Sequence, residues 1–330
     1  MKIDIVIDNS AGDCGKGKVV HSLLKNGQYT HCLRGNGADN CGHTIFHNEK
    51  KFITHAIPAG IFFNVKSIIG PGCVLNVKSF LNEMDYLLKN GIDCKDLVKI
   101  ANNVHIITDE HIIEDSSDTK IGTTKRGVGQ AYRDKYSRIG KRAENIPELK
   151  YFLCDFYGEM FQSNVDPNIL YEGAQGFSLD IDHGVYPYVT SSHTTTAGAL
   201  LNGIPHTAIR NVYGVNKAYY TYVGLNKFQP DNNKELENIQ KIGCEVGATT
   251  GRVRQCNYLD TSVLEKAINI NGVSHLIINK MDVLKEVNCY KILDSKRNIL
   301  DLKTEPSFME YLQNKFNKVE IKFSYSPYDI

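Results

Sequence analysis

The chain has no apolar run approaching the ~18 residues that cross a bilayer, so no membrane span is expected. Its nine cysteines (14, 32, 41, 73, 94, 154, 244, 256, 289) include no CxxC pair. An odd, scattered set fits neither a disulfide framework nor a zinc site, and free thiols in a reducing cytoplasm are expected instead. Net charge is also nearly missing, since 38 Lys and Arg against 37 Asp and Glu leave +1. With no global positive field, a polynucleotide partner is not expected, whereas a small anion held by a local cluster is allowed. The opening MKIDIVIDNSAGD breaks its apolar residues with charge, unlike a secretory signal. Repeats and Pro/Gly/Ser-rich linkers are lacking, so residues 1–330 are read as one domain.

What is present is an ordinary globular composition, 42% hydrophobic and 23% charged. Short β-branched runs at Ile3–Ile7, Ser67–Ile69, Val104–Ile107, Ile169–Tyr171 and His275–Ile278 predict strands. Helical patterns occupy Lys18–Lys25, Ser79–Lys89, Thr261–Ile270 and Phe308–Phe316. Their alternation predicts an α/β fold with a largely parallel central sheet flanked by helices, binding ligands beyond the carboxyl ends of its strands.

The first strand runs into Gly12-Asp13-Cys14-Gly15-Lys16-Gly17-Lys18-Val19. This is the G-x-x-x-x-G-K pattern, whose glycines let backbone N–H groups wrap a phosphate at a helix N-terminus while lysine supplies charge. Val19 stands where a Mg²⁺-binding Ser or Thr is usual, which argues against a G-protein-like switch. Asp13 adds a carboxylate that phosphate would repel unless it binds metal or takes a proton. Near the other end, an apolar strand closes on Asn279-Lys280-Met281-Asp282, the N-K-x-D pattern of guanine-reading loops. A carboxylate there accepts from N1–H and the 2-amino group of guanine, which adenine cannot match.

These residues, together with further blocks, resemble the adenylosuccinate synthetase family. The blocks are Asn40-Cys41-Gly42-His43-Thr44, Ile121 to Gly127, Ala131 to Lys135 with Arg138, Glu172 to Gly176 continuing to Ser192, and Gly247 to Arg252. The resemblance implies a Mg²⁺-dependent ligase that uses GTP to phosphorylate O6 of a purine nucleoside monophosphate, most closely IMP, and couples L-aspartate there. Asp13 is then the general base at N1–H, with His43 and Lys16 acting on the developing and transferring charge. Gly12, Cys14, Gly15, Gly17, Lys18, Gly42, Thr44, Arg254, Asn279, Lys280, Asp282 and Ser324 would hold GTP. Asn40, Thr124, Arg126, Arg138, Gln175, Thr190 and Arg252 would hold the acceptor nucleotide. Ala248, Thr249, Thr250, Gly251 and Arg252 would take aspartate, and Asp13 with the Gly42 carbonyl would take the metal. The family's counterpart of Arg138 reaches a neighbouring site, which implies a homodimer.

Other residues read more plainly. Histidines 21, 31, 47, 55, 105, 206 and 275 fall outside the motifs and are expected to be surface or satisfied core groups; His183 and His193 lie in matched segments that they can simply brace. Asp180 and Asp182 are expected to orient nearby backbone. Cys14 for Glu, Gln130 for Pro, and Val223 to Phe228 depart from the family pattern, and the chain is shorter than bacterial members. A related phage family, 2-aminoadenylosuccinate synthetase, uses dGMP as acceptor; retention of Asp13 and Asp282 favours IMP and GTP here, whereas the short length and the altered Leu225–Phe228 segment lean toward the phage type. A non-catalytic nucleotide-binding regulator would need neither Asp13 nor His43.

Overall fold

The computed structural model describes residues 1–119, 121–247, 251–328 and 330. Among these, nine strands form a wholly parallel sheet in the order Glu320–Phe323, His275–Asn279, Ile209–Lys217, Lys2–Asp8, Asn168–Glu172, His31–Arg34, Lys66–Ile69, Val98–Ala101, Leu153–Cys154. The first strand, β1 (Lys2–Asp8), lies at the centre, and all its residues after Lys2 are buried. Near-continuous burial is what helices on both faces of a parallel sheet produce. Helix α1 (Lys16–Asn26) follows β1 through the glycine-rich turn. β2 (His31–Arg34) comes next, and β3 (His43–His47) and β4 (Lys50–Thr54) then form an antiparallel hairpin against α1. A smaller mixed sheet orders Tyr219–Tyr222, Gln255–Asp260, Lys291–Leu293 and Ile299–Asp301. No helix among the described residues is long and apolar enough to cross a membrane.

The expected strands and helices form within two or three residues, with one correction. Val98–Ala101 takes the sheet position, while the expected Val104–Ile107 run supplies only the short pairing of His105–Ile106 with Val74–Leu75. The chain turns where Val104 N–H donates to Ala101 O, so Val104 and Ile107 reach the core from a loop. Hydrophobicity marked the burial; the turn decided the pairing.

Five adjacent strands of the sheet end, on one edge, in a buried polar residue. In sheet order these are Asn279, Lys217, Asp8, Glu172 and Arg34, each at most 4% exposed. Burying charge is costly unless it is paired, and these are: Lys217 with Glu245, Asp8 with Lys16, and Glu172 with Arg34. The carboxyl edge of the sheet is thus an electrostatic floor, and the loops above it build the site.

Candidate active site

The phosphate loop is shaped by Asp8. Its carboxylate accepts from the backbone N–H groups of Ser10, Gly12 and Cys14 at 2.9, 3.3 and 3.0 Å, drawing the loop around the end of β1. Gly15, at φ 96°, caps α1 in the left-handed region, and a Cβ there would lie 2.8 Å from Asn279 Nδ2. Glycine is therefore required for the turn and for the close approach of the second loop. That loop docks through Asn279 Nδ2, which donates to Cys14 O at 2.7 Å. Cys14, in place of the family's Glu, is buried with its thiol against Ser10 Oγ, and burial pushes its pKa well up. It packs as an inert small group. Val19 is likewise fully buried in the core.

Above the loop opens a cleft of about 390 Å³. It brings together Gly12, Asp13, Gly15, Lys16 and Gly17 with Asn40, Gly42, His43 and Thr44, and adds Thr124, Gln175, Thr190, Arg252 and Arg254. Lys16 Nζ donates to Gln175 O at 2.5 Å and lies 3.4 Å from Asp8. Asn40 Oδ1 accepts from Gln175 Nε2 at 3.0 Å. Arg252 donates to the carbonyls of Gly122 and Thr123 at 3.0 and 3.2 Å, tying two loops across the mouth. Ala248, Thr249 and Thr250 of the expected aspartate set lie outside the described residues; Gly251, at φ 65°, donates its N–H to Gly247 O.

Several expected residues stand apart from the cleft wall. Lys18 reaches Ser324 Oγ and, at 2.8 Å, Ser326 O, joining α1 to the chain beyond the last strand. Lys280 is left-handed at the start of helix Met281–Val287 and donates to Gly243 O at 3.1 Å; Asp282, in the first turn of that helix, is exposed. These groups flank Asn279, next to the phosphate loop rather than inside the cleft. Arg126 is 43% exposed against Asp39 at 3.4 Å, and Arg138 is exposed at φ 64° where helix Val128–Ser137 ends.

The electrostatics centre on two clusters. His43 Nδ1 donates to Glu172 Oε1, which also accepts from Arg34 at 2.9 Å, while Glu172 Oε2 accepts from Ala59 N–H at 2.8 Å. Burial, reinforced by the Arg34 charge, lowers His43 to about 4. Burial alone would raise Glu172, but Arg34 and His43 outweigh it and hold it at about 2. With Nδ1 on Glu172 and Nε2 3.3 Å from Arg34, the imidazole is neutral and points no donor into the cleft. The donation to O6 that the resemblance implies would require the imidazole to reorient. The second cluster holds Asp13, whose Oδ2 accepts from both Nε and Nη2 of Arg254 at 3.0 and 2.8 Å.

Arg34, Glu172, Asp8, Lys217 and Glu245 carry these networks, yet no motif argument gave them roles. A signal was available in sequence: IDIVID, HCLR, NILYE, VYGVNK and HLIIN are apolar strands ending on a polar residue. Most of the outlying histidines are satisfied as expected, for example His31 against Glu159 and His55 on Cys41 O at 3.0 and 2.7 Å, but His105 departs from this, being buried with its Nδ1 unpartnered among the described residues. Asp180, Asp182 and His193 bring ligand-type atoms within 4.8 Å of one another. Asp180, however, spends its oxygens on the N–H groups of Asp182, His183 and Thr194, so it braces the turn.

A parallel α/β sheet with a phosphate loop at its central strand and charged loops at its carboxyl edge defines a nucleotide-using group-transfer enzyme. The adenylosuccinate synthetase family model matches residues 5–165 and 147–324, and the chain belongs to that family, whose members are ligases that form a C–N bond. It is 36% identical to the adenylosuccinate synthetase of Thermodesulfovibrio yellowstonii over 88% of this chain and 80% of that one. With the Mycosarcoma maydis enzyme it shares 35% identity over 99% and 85%. Among solved structures, fully ligated adenylosuccinate synthetase from Plasmodium falciparum superposes with a TM-score of 0.86 at 27% identity, covering 99% and 98%. The cyanophage S-2L succinoaminodeoxyadenylate synthetase, bound to dGMP and dATP, gives 0.78 at 20% identity, covering 99% and 93%, a likeness of fold alone.

Proposed function

We propose that this enzyme couples L-aspartate to C6 of IMP, with GTP as phosphoryl donor, through a 6-phosphoryl intermediate. The observation that carries the reading is one cleft in which Asp13 and Lys16 of the phosphate loop face Asn40, His43, Gln175, Thr124 and Thr190. A carboxylate, a cation and amide groups converging on one cavity serve a reaction that needs a base, a phosphate clamp and a purine-sized pocket.

The 6-oxo group of the purine leaves poorly because it belongs to an amide-like ring. Asp13 removes the N1 proton, O6 gains charge and attacks the γ-phosphorus, and GDP departs. The aspartate amine then adds at C6, phosphate leaves, and the nitrogen gives up one proton to the departing phosphate or to solvent. Both Arg254 bonds fall on Asp13 Oδ2, so Oδ1 is the oxygen left for a substrate proton or a cation. The donor set for the metal, a carboxylate and the Gly42 carbonyl, is all oxygen and suits Mg²⁺. Bound there, the ion would neutralise phosphate charge in place of the hydroxyl that Val19 lacks. Arg252 bridges the acceptor-side loop to the loop expected to take aspartate. Asn279, Lys280 and Asp282, in the N-K-x-D pattern beside the phosphate loop, are read as the guanine-recognising group. Arg138, exposed on a helix end, is read as reaching a second copy of the chain in a homodimer. Nine free thiols support work in a reducing cytoplasm.

The test is phosphate release from GTP by purified protein, with mass analysis of the nucleotide product across IMP, dIMP, GMP and dGMP. Release is expected only with IMP and aspartate both present. GTP hydrolysis indifferent to both rejects the reading, and product from dGMP alone moves it to the phage-type acceptor.

A further inference from the structure

Glu245 lies outside the groups assigned to substrate, yet it is among the most tightly engaged carboxylates in the chain. It is 1% exposed and follows helix Lys234–Ile242. Oε1 accepts from the Tyr219 hydroxyl at 2.5 Å, and Oε2 accepts from Lys217 Nζ at 2.7 Å and from Arg254 Nη1 at 2.6 Å. Burial alone would raise its pKa, but Lys217 and Arg254 hold it at about 2, so it is a permanent anion. Arg254 N–H donates to Glu245 O at 2.9 Å, and Val246 pairs antiparallel with Val253, so the backbone fixes the two residues side by side.

The guanidinium of Arg254 is a planar fork. Glu245 holds it by Nη1, and Nε with Nη2 form the opposite edge, which grips Asp13. A fork held on one edge presents the other at a set angle, which a freely rotating ammonium could not do. We propose that Glu245 is a positioning residue: anchored by Lys217 and Tyr219, it aims Arg254 so that Arg254 sets the orientation of Asp13 at the mouth of the phosphate loop. The inference rests on the reading of Asp13 as the base. Lys217, 2% exposed at the end of its strand, supplies the fixed point; its other bond is to Thr221 Oγ1 at 3.1 Å.

The test separates the first chemical step from the whole reaction. Scrambling of a βγ-bridge oxygen label in GTP, with IMP present and aspartate omitted, reports formation of the 6-phosphoryl species; net turnover with aspartate reports both steps. Glu245→Gln keeps the shape but cannot satisfy two cations. It is expected to slow scrambling and kcat by the same factor, on the order of 100-fold, as misaimed reacting groups do. KM for aspartate should stay within about twofold, since the loop expected to take it is not what Glu245 aims. In an Arg254→Lys background, Glu245→Gln should cost no more, because the fork it aims is gone. Wild-type scrambling in Glu245→Gln, or a change confined to the KM for aspartate, overturns the proposal. If Glu245→Gln does not fold, Tyr219→Phe removes one anchor and should lower both rates severalfold; unchanged rates in that folded variant are equally fatal. A wild-type enzyme that neither scrambles nor turns over rejects the ligase reading, and this one with it.

Discussion

The residue scale is dominated by charges that are buried because they are paired. Glu172 is fully buried and accepts from His43, Arg34 and the Ala59 amide. Both titrations in this group penalise acid. His43 is lowered from 6.5 to about 4, so the fold favours its neutral form, and that contribution is complete above pH 6.5 and disappears as pH falls toward 4. Glu172 is lowered from 4.5 to about 2, so its contribution is complete above pH 4.5 and disappears on the way to pH 2. Melting temperature should therefore fall from pH 6.5 to 4, and more steeply in wild type than in His43→Gln, the difference being worth up to about 3 kcal/mol. Equal slopes would show that His43 does not carry the linkage. Asp13 and His43 were legible from local motifs because both stand in short blocks. Arg34 and Glu172 were not, since their roles come from partners 138 residues apart.

Between residue and fold, the glycine-rich turn and the β3–β4 hairpin form one mechanical element. Gly17 lies in the first turn of α1, and a Cβ there would come 2.7 Å from Thr44 O and 3.4 Å from His43 Cβ. Helix propensity by itself says Gly17→Ala should stabilise by about 1 kcal/mol. Overpacking against a backbone carbonyl opposes this with about 1–3 kcal/mol and moves the strand that carries His43. We expect a lower urea midpoint together with lower kcat; a gain in stability at full activity would show that the hairpin yields freely. Elements with strong periodicity, such as β1 and the helices at 77–89 and 261–271, were readable from sequence. The hairpin was not, because HTIFH and KKFIT gain their burial only by lying on α1 and the aromatic cluster of His21, His47, Phe62 and Phe63.

At the scale of the whole molecule, Arg138 is the residue whose proposed role needs a second chain. It is exposed between Tyr136 and Ile139, which are 67% and 72% exposed, and it does not line the cleft of its own chain. Specific activity should fall on dilution in step with the appearance of monomer in sedimentation, while Arg138→Ala should lose activity and still sediment as a dimer. Full activity of a monomer would place every needed group in one chain. The strand order carries one more consequence, for how the chain reaches this fold during synthesis. β1 is made well before its partners, since it pairs with Asn168–Glu172 on one side and Ile209–Lys217 on the other. The N–H and C=O groups along its edges stay unpaired until Ile209–Lys217 has left the ribosome, and pairings of such long sequence separation form slowly. Nascent chains stalled before residue 209 should thus be aggregation-prone and in need of chaperone shelter, with the phosphate loop the last part of the centre to set.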